Sequence, residues 1–164
     1  RMFGFVAAYT PEEYAESTLT RLGPDAYEHL PTSRRLAERL AGRTAPIKPL
    51  LLDQGIIAGL GNIYADETLH RARLSPFRPA GELSFDEVKR LRAAIKATLA
   101  AGLKWGGTSL DDRAYLLPDG RAGQFLNRLQ AYGREDEPCR RCGTPIRRSV
   151  LRSRSTFWCP SCTG

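Results

Sequence analysis

The chain has 164 residues, 41% hydrophobic and 26% charged, with a formal charge of +7. That composition is ordinary for a soluble protein of one large or two small domains. No apolar run approaches the roughly 20 residues of a membrane helix, and no secretory signal is in view, so neither a membrane span nor a disulfide-stapled secreted domain is expected.

Phe3 to Tyr9 (FGFVAAY) reads as a short strand, and the start at Arg1 without a methionine is read as the continuation of something larger upstream. Thr10 followed by Pro11, Glu12 and Glu13 predicts a helix start, and Gly23-Pro24 punctuates a linker. A helix over about Ser33 to Ala41 follows, with Leu36 and Leu40 spaced for one buried face. Pro46 opens the next helix, IKPLLLDQ. The segment from Gly55 divides into a turn punctuated by Gly55, Gly59 and Gly61 and a helix from Asn62 with Ile63, Leu69 and Ala72 inward. Ser84 and Glu87 predict a capping box at the start of a long helix to about Leu103. In that helix Val88, Leu91, Ile95 and Leu99 face the core, and Gly106-Gly107 ends it. A charged loop then leads to QFLNRLQAYG, a short helix or strand. His29 and His70 are isolated and read as surface or packing residues.

Four cysteines dominate the C-terminal end. Cys139 and Cys142 are separated by two residues, as are Cys159 and Cys162, with sixteen residues between the pairs. Two such knuckles joined by a hairpin suit a closed tetrahedral site for one structural Zn²⁺, and so short a segment draws its folding energy from the metal. From Pro138 onward there are six arginines and no acid; four thiolates and one Zn²⁺ subtract two from that formal +6. Such a surface favours a polyanion. Arginines on the hairpin (Arg152 and Arg154) can reach phosphates, whereas Phe157 and Trp158 either stack on bases or, for at least one of them, pack against the knuckles.

A second pattern lies at Gly59-Leu60-Gly61-Asn62. A glycine-opened turn at a helix N-terminus offers free N–H groups and the positive dipole end to a phosphate. With PIKPLLLDQ before it, ADETLHRARLSPFRP after it and the cysteine finger downstream, nearly the whole chain resembles the formamidopyrimidine-DNA glycosylase and endonuclease VIII family. The resemblance implies a mainly α-helical helix–two-turn–helix domain and a small β-hairpin zinc finger. Its boundaries fall at 1–10 (the end of a β-sandwich catalytic domain), 11–30 (linker), 31–133 (helix–two-turn–helix) and 134–164 (finger).

Residue roles follow from the same resemblance. Asn62 matches the phosphate-binding asparagine, and Lys48 a lysine near the same DNA backbone. Arg154 matches the finger arginine that clamps phosphates beside the extruded nucleotide and takes part in strand elimination. Arg1 and Phe3 match the end of a loop that fills the gap left by the flipped base. The implied partner is duplex DNA carrying an oxidised base or abasic site, bound by a bacterial cytoplasmic monomer. The implied activity is a bifunctional glycosylase with β/δ-elimination lyase chemistry. Its nucleophile is an N-terminal proline followed by glutamate; this chain opens at Arg1 and is expected to be inactive alone. Gly123-Gln124-Phe125 replaces the family's more usual Gly-Tyr-Phe, and the segment before it is longer than usual. Three readings stay open: a purine-directed glycosylase, the pyrimidine-directed endonuclease VIII branch, and a non-catalytic DNA-binding module.

Overall fold

The computed structural model describes residues 6–108 and 123–163. Helix α1 (Pro11–Glu16) opens on the predicted cap: Thr10 Oγ1 accepts from the Glu13 N–H, and the Glu13 carboxylate accepts from the Thr10 N–H. The strand expected over Phe3 to Tyr9 is absent from its described part. Residues 6–10 belong to no element and Val6 is fully exposed. An extended segment becomes a strand only by pairing, and among the described residues the one sheet lies near the C-terminus.

After a 3-10 turn at Thr18–Arg21, residues 23–26 already lie on the helical core. The Ala26 N–H donates to Ala58 O at 2.8 Å, the Ala58 N–H to Pro24 O at 3.0 Å, and Ala26 is buried. Gly23 is required by close approach, since a Cβ there would lie 2.7 Å from Gly55 O.

Helices α2 (Ser33–Leu40), α3 (Ile47–Leu51), α4 (Asn62–Ala72) and α5 (Phe85–Lys104) build the main body. Their core gathers Leu36, Leu40, Ile47, Leu51, Leu60, Leu69, Val88, Leu91 and Ile95. Helices α4 and α5 share the most extensive helix–helix contact, and a segment of successive turns connects α3 to α4. The capping box at the head of α5 is formed, with Ser84 and Glu87 exchanging hydrogen bonds. Two inward assignments need adjustment: Ile63 and Leu99 are half-buried rather than buried, because the centre of each interface is taken by Ala65 and Leu69 on α4 and by Ala94 and Ile95 on α5. Near the end of α5, Gly102 lets the Tyr64 ring pass; a Cβ would lie 2.5 Å from it. That ring then stacks on Phe125 at 5.6 Å.

QFLNRLQAYG resolves as a 3-10 turn, Phe125–Arg128, followed by irregular chain. The finger adds strands β1 (Arg147–Leu151) and β2 (Arg154–Trp158), paired antiparallel, and a closing turn of helix, α6 (Pro160–Thr163). Leu151 pairs with Arg154, so Arg152 and Ser153 form a two-residue turn. Both have positive φ, +47° and +62°. Tight hairpins demand such angles, yet neither residue is glycine; backbone strain of order 1 kcal/mol per residue is held at this tip. The small second core consists of Ala131, Cys139, Ile146 and Cys159, with Phe157 and Cys162 against it.

Candidate nucleic-acid interface

The metal centre is assembled as the spacing implied. The four sulfurs of Cys139, Cys142, Cys159 and Cys162 lie within 4.8 Å of one another. Individual pairs are separated by 4.0 Å (Cys139–Cys162), 3.5 Å (Cys142–Cys159) and 3.4 Å (Cys142–Cys162). Tetrahedral Zn–S bonds of about 2.3 Å require sulfurs roughly 3.8 Å apart, against about 2.05 Å in a disulfide. All four cysteines are unbridged. Backbone N–H groups already turn toward the sulfurs: Arg141 toward Cys139 at 3.5 Å and Cys162 toward Cys159 at 3.4 Å. The donor set fits one structural Zn²⁺ with no coordination position left for substrate.

The finger is seated on α4 by polar contacts. Asn62, at the first turn of α4, donates Nδ2–H to the Ser155 carbonyl at 3.1 Å. Ser155 follows Arg154 directly, so the glycine-opened turn and the hairpin tip are joined at one peptide group. Helix α4 begins after Gly61 with no side-chain cap, and a Cβ at Gly61 would meet nothing. An uncapped helix N-terminus in open space, beside an exposed arginine, is suited to an anion. Arg147, Arg152 and Arg154 are exposed and have no acidic partner among the described residues, whereas Arg148 lies 3.7 Å from Glu135.

Lys48 requires a correction. Expected beside the DNA backbone, it is 1% exposed. Its ammonium donates to Ser155 O at 2.7 Å and Thr156 Oγ1 at 2.9 Å, and pairs with Asp66 Oδ1 at 2.7 Å. With two hydrogen bonds, a buried ion pair and almost no exposure, the ammonium is turned into the protein rather than toward a phosphate. Lys48 instead bolts α3 to α4 and to β2. Burial pushes the Asp66 carboxyl up to about 6, against the opposing pull of the Lys48 ammonium and the Phe157 N–H. Burial likewise pushes Lys48 down from its ordinary range.

Three further residues escape a reading by composition. Asp66 accepts the Phe157 N–H at 2.9 Å, fixing the height of β2 on α4. Buried Glu67 accepts the N–H groups of Gln130, Ala131 and Tyr132 at 2.8–2.9 Å, capping the chain where it enters the finger. His70 is 2% exposed, with Nε2 3.4 Å from Cys139 Sγ. For Asp66 and His70 the signal is positional: with Asn62 they recur at four-residue steps on a helix that also buries Ala65 and Leu69; Glu67 carries no such signal. Phe157 and Trp158 are both engaged in packing, edge-on against Tyr132 at 5.0 Å and Phe77 at 5.2 Å. Both rings are half-buried in this packing. Arg1, Phe3 and most of the segment before Gly123 lie outside the described residues.

Residues 22–114 match the family model of the formamidopyrimidine-DNA glycosylase H2TH domain, and residues 136–163 match that of the zinc finger found in FPG and IleRS. The formamidopyrimidine-DNA glycosylase of Thermus thermophilus is 44% identical over the whole chain, which spans 62% of that relative. That of Geobacillus kaustophilus is 42% identical over 99% of the chain and 59% of the relative. The chain thus spans about 60% of the length of the curated relatives it matches. Among solved structures, the Thermus thermophilus MutM (Fpg) protein superposes with a TM-score of 0.86 at 46% identity, over 93% of this chain and 57% of that one. The Lactococcus lactis Fpg mutant G226P in complex with Fapy-dG-containing DNA gives 0.84 at 32% identity, over 93% and 56%. Helical body, finger and sequence agree, and the chain belongs to the formamidopyrimidine-DNA glycosylase family.

Proposed function

We propose that this chain is the DNA-gripping part of a base-excision-repair glycosylase and lyase that removes oxidised bases, of the formamidopyrimidine and 8-oxoguanine type, from duplex DNA. The observation that carries this is the junction at Ser155, where the uncapped N-terminus of α4 and the Arg154 hairpin meet. Two cationic elements fixed to one peptide group form a rigid clamp for a phosphodiester backbone, and phosphate contacts of this kind set register on the duplex. The domain division follows the resemblance, with a helix–two-turn–helix body to residue 133 and a finger from 134. In this reading Arg154 neutralises the phosphates flanking an extruded nucleotide and serves the elimination step. Asn62, whose amide also holds the hairpin at Ser155, lies with the α4 N–H groups against a phosphate. Arg1 and Phe3 fill the vacated stack, and the nucleophilic amine is that of an N-terminal Pro-Glu, which does not open this chain. By the same resemblance the protein acts as a monomer in the bacterial cytoplasm.

Borohydride trapping on 8-oxoguanine duplex tests the assignment. A protein carrying an N-terminal Pro-Glu catalytic domain ahead of Arg1 is expected to form a covalent adduct, and this chain alone none. Trapping only on oxidised-pyrimidine duplex would favour the endonuclease VIII branch, and trapping by this chain alone would overturn the division of labour.

A further inference from the structure

Helix α4 meets the finger at three successive steps of one face. Asn62 and Asp66 engage backbone groups of β2, at Ser155 and Phe157. His70 engages a metal ligand. A residue that only filled space at this position would need no ring nitrogen, yet Nε2 lies 3.4 Å from Cys139 Sγ in an environment that leaves His70 2% exposed.

We propose that His70 is an outer-shell donor to the zinc centre, giving its Nε2–H to the Cys139 thiolate and so tethering the metal to α4. The proton's place follows from the sulfur's chemistry. A zinc-bound thiolate carries no hydrogen and can only accept, so a hydrogen bond at this contact requires the hydrogen on Nε2 and leaves Nδ1 bare. The Arg141 backbone N–H points at the same sulfur from 3.5 Å. Cys139 thereby receives one donor from its own knuckle and one from the helical body. The other three cysteines show no side-chain donor from outside the finger among the described residues.

The tether is reciprocal. Arg141, between Cys139 and Cys142, donates Nη1–H to the His70 carbonyl at 3.1 Å. Helix and knuckle therefore each hold the other by one hydrogen bond, at the opposite end of α4 from Asn62. Two donors on one thiolate draw off negative charge, which makes that sulfur less prone to protonation and release from the metal. Groups that orient and polarise metal ligands in this way typically change metal affinity about 10–100-fold when removed.

Two variants and one spectroscopic measurement test the assignment in the intact chain. His70→Phe keeps the ring volume and loses the donor; His70→Gln keeps an N–H in reach. Zinc release into excess chelator is expected to be about tenfold or more faster for His70→Phe, with His70→Gln falling between it and the parent. In the parent protein loaded with ¹¹³Cd, the imidazole is expected as the Nε2–H tautomer, with a scalar coupling from that proton through sulfur to the metal. A purely packing role would produce no such coupling, and this readout needs no variant to fold. A bare Nε2 would overturn the proposal. So would zinc release from a folded His70→Phe at the parental rate.

Discussion

Replacing Lys48 by methionine tests how the finger is attached to the helical body. Methionine keeps most of the stem volume and removes the ammonium, with its contacts to Asp66, Ser155 O and Thr156 Oγ1. Asp66 is left buried with the Phe157 N–H as its remaining donor. Removing one member of a buried ion pair costs about 3–5 kcal/mol, a large share of the roughly 5–15 kcal/mol that holds a domain folded. The penalty carries a pH signature. Asp66 is held above its ordinary value, at about 6, so its contribution to stability is present below the ordinary carboxylate range near 4 and is lost as pH rises through about 6. Lys48 is a cause that opposes this rise; without it the folded-state value climbs further, and Lys48→Met goes on losing stability above pH 6, where the parent has finished. Urea unfolding of both zinc-loaded proteins at about pH 5.5 and 7.5 should show a larger difference at the higher pH. Adding Asp66→Asn to Lys48→Met should recover part of the loss. A pH-independent difference below about 1 kcal/mol would refute the buried cross-link.

Two further outcomes follow from the packing. Chelation of zinc should unfold the finger and abolish DNA binding while the far-ultraviolet helical signal of α4 and α5 persists, because their apolar core is separate from the small cluster of Ala131, Cys139, Ile146 and Cys159; simultaneous loss of all helical signal would contradict a division into two cores. Gly102→Val should destabilise the helical body by about 1–3 kcal/mol in denaturant unfolding, since its branches enter the space of the Tyr64 ring; a neutral effect would mean that Tyr64 moves aside freely.

What could be read from the residues was whatever depends on short spacings. The paired cysteines, the Ser84–Glu87 box and the Leu36–Leu40 face each involve residues within four positions of one another, and the structure contains all of them. What was not legible depends on distant partners. Lys48 looks like a surface cation until Asp66 and the Ser155–Thr156 segment are brought to it across the fold. His70 looks like filler until the knuckle at Cys139 closes over it. Residues 6–10 illustrate the converse: their apolar, β-prone composition is not enough to form a strand without a neighbour to pair with. The polar stripe of Asn62, Asp66 and His70 could have been suspected from its period, because polar side chains repeated on an otherwise buried helix face imply partners.

The most direct test of the clamp is the salt dependence of binding to a duplex containing a tetrahydrofuran abasic-site analogue, measured by fluorescence anisotropy for the parent chain and for Arg154→Ala. Each phosphate contact adds about 0.9 to the slope of log affinity against log salt. Arg154→Ala is therefore predicted to bind more weakly, with a slope shallower by about one and an unchanged zinc content. Equal affinity and equal slope in the two proteins would contradict the placement of Arg154 on the DNA backbone.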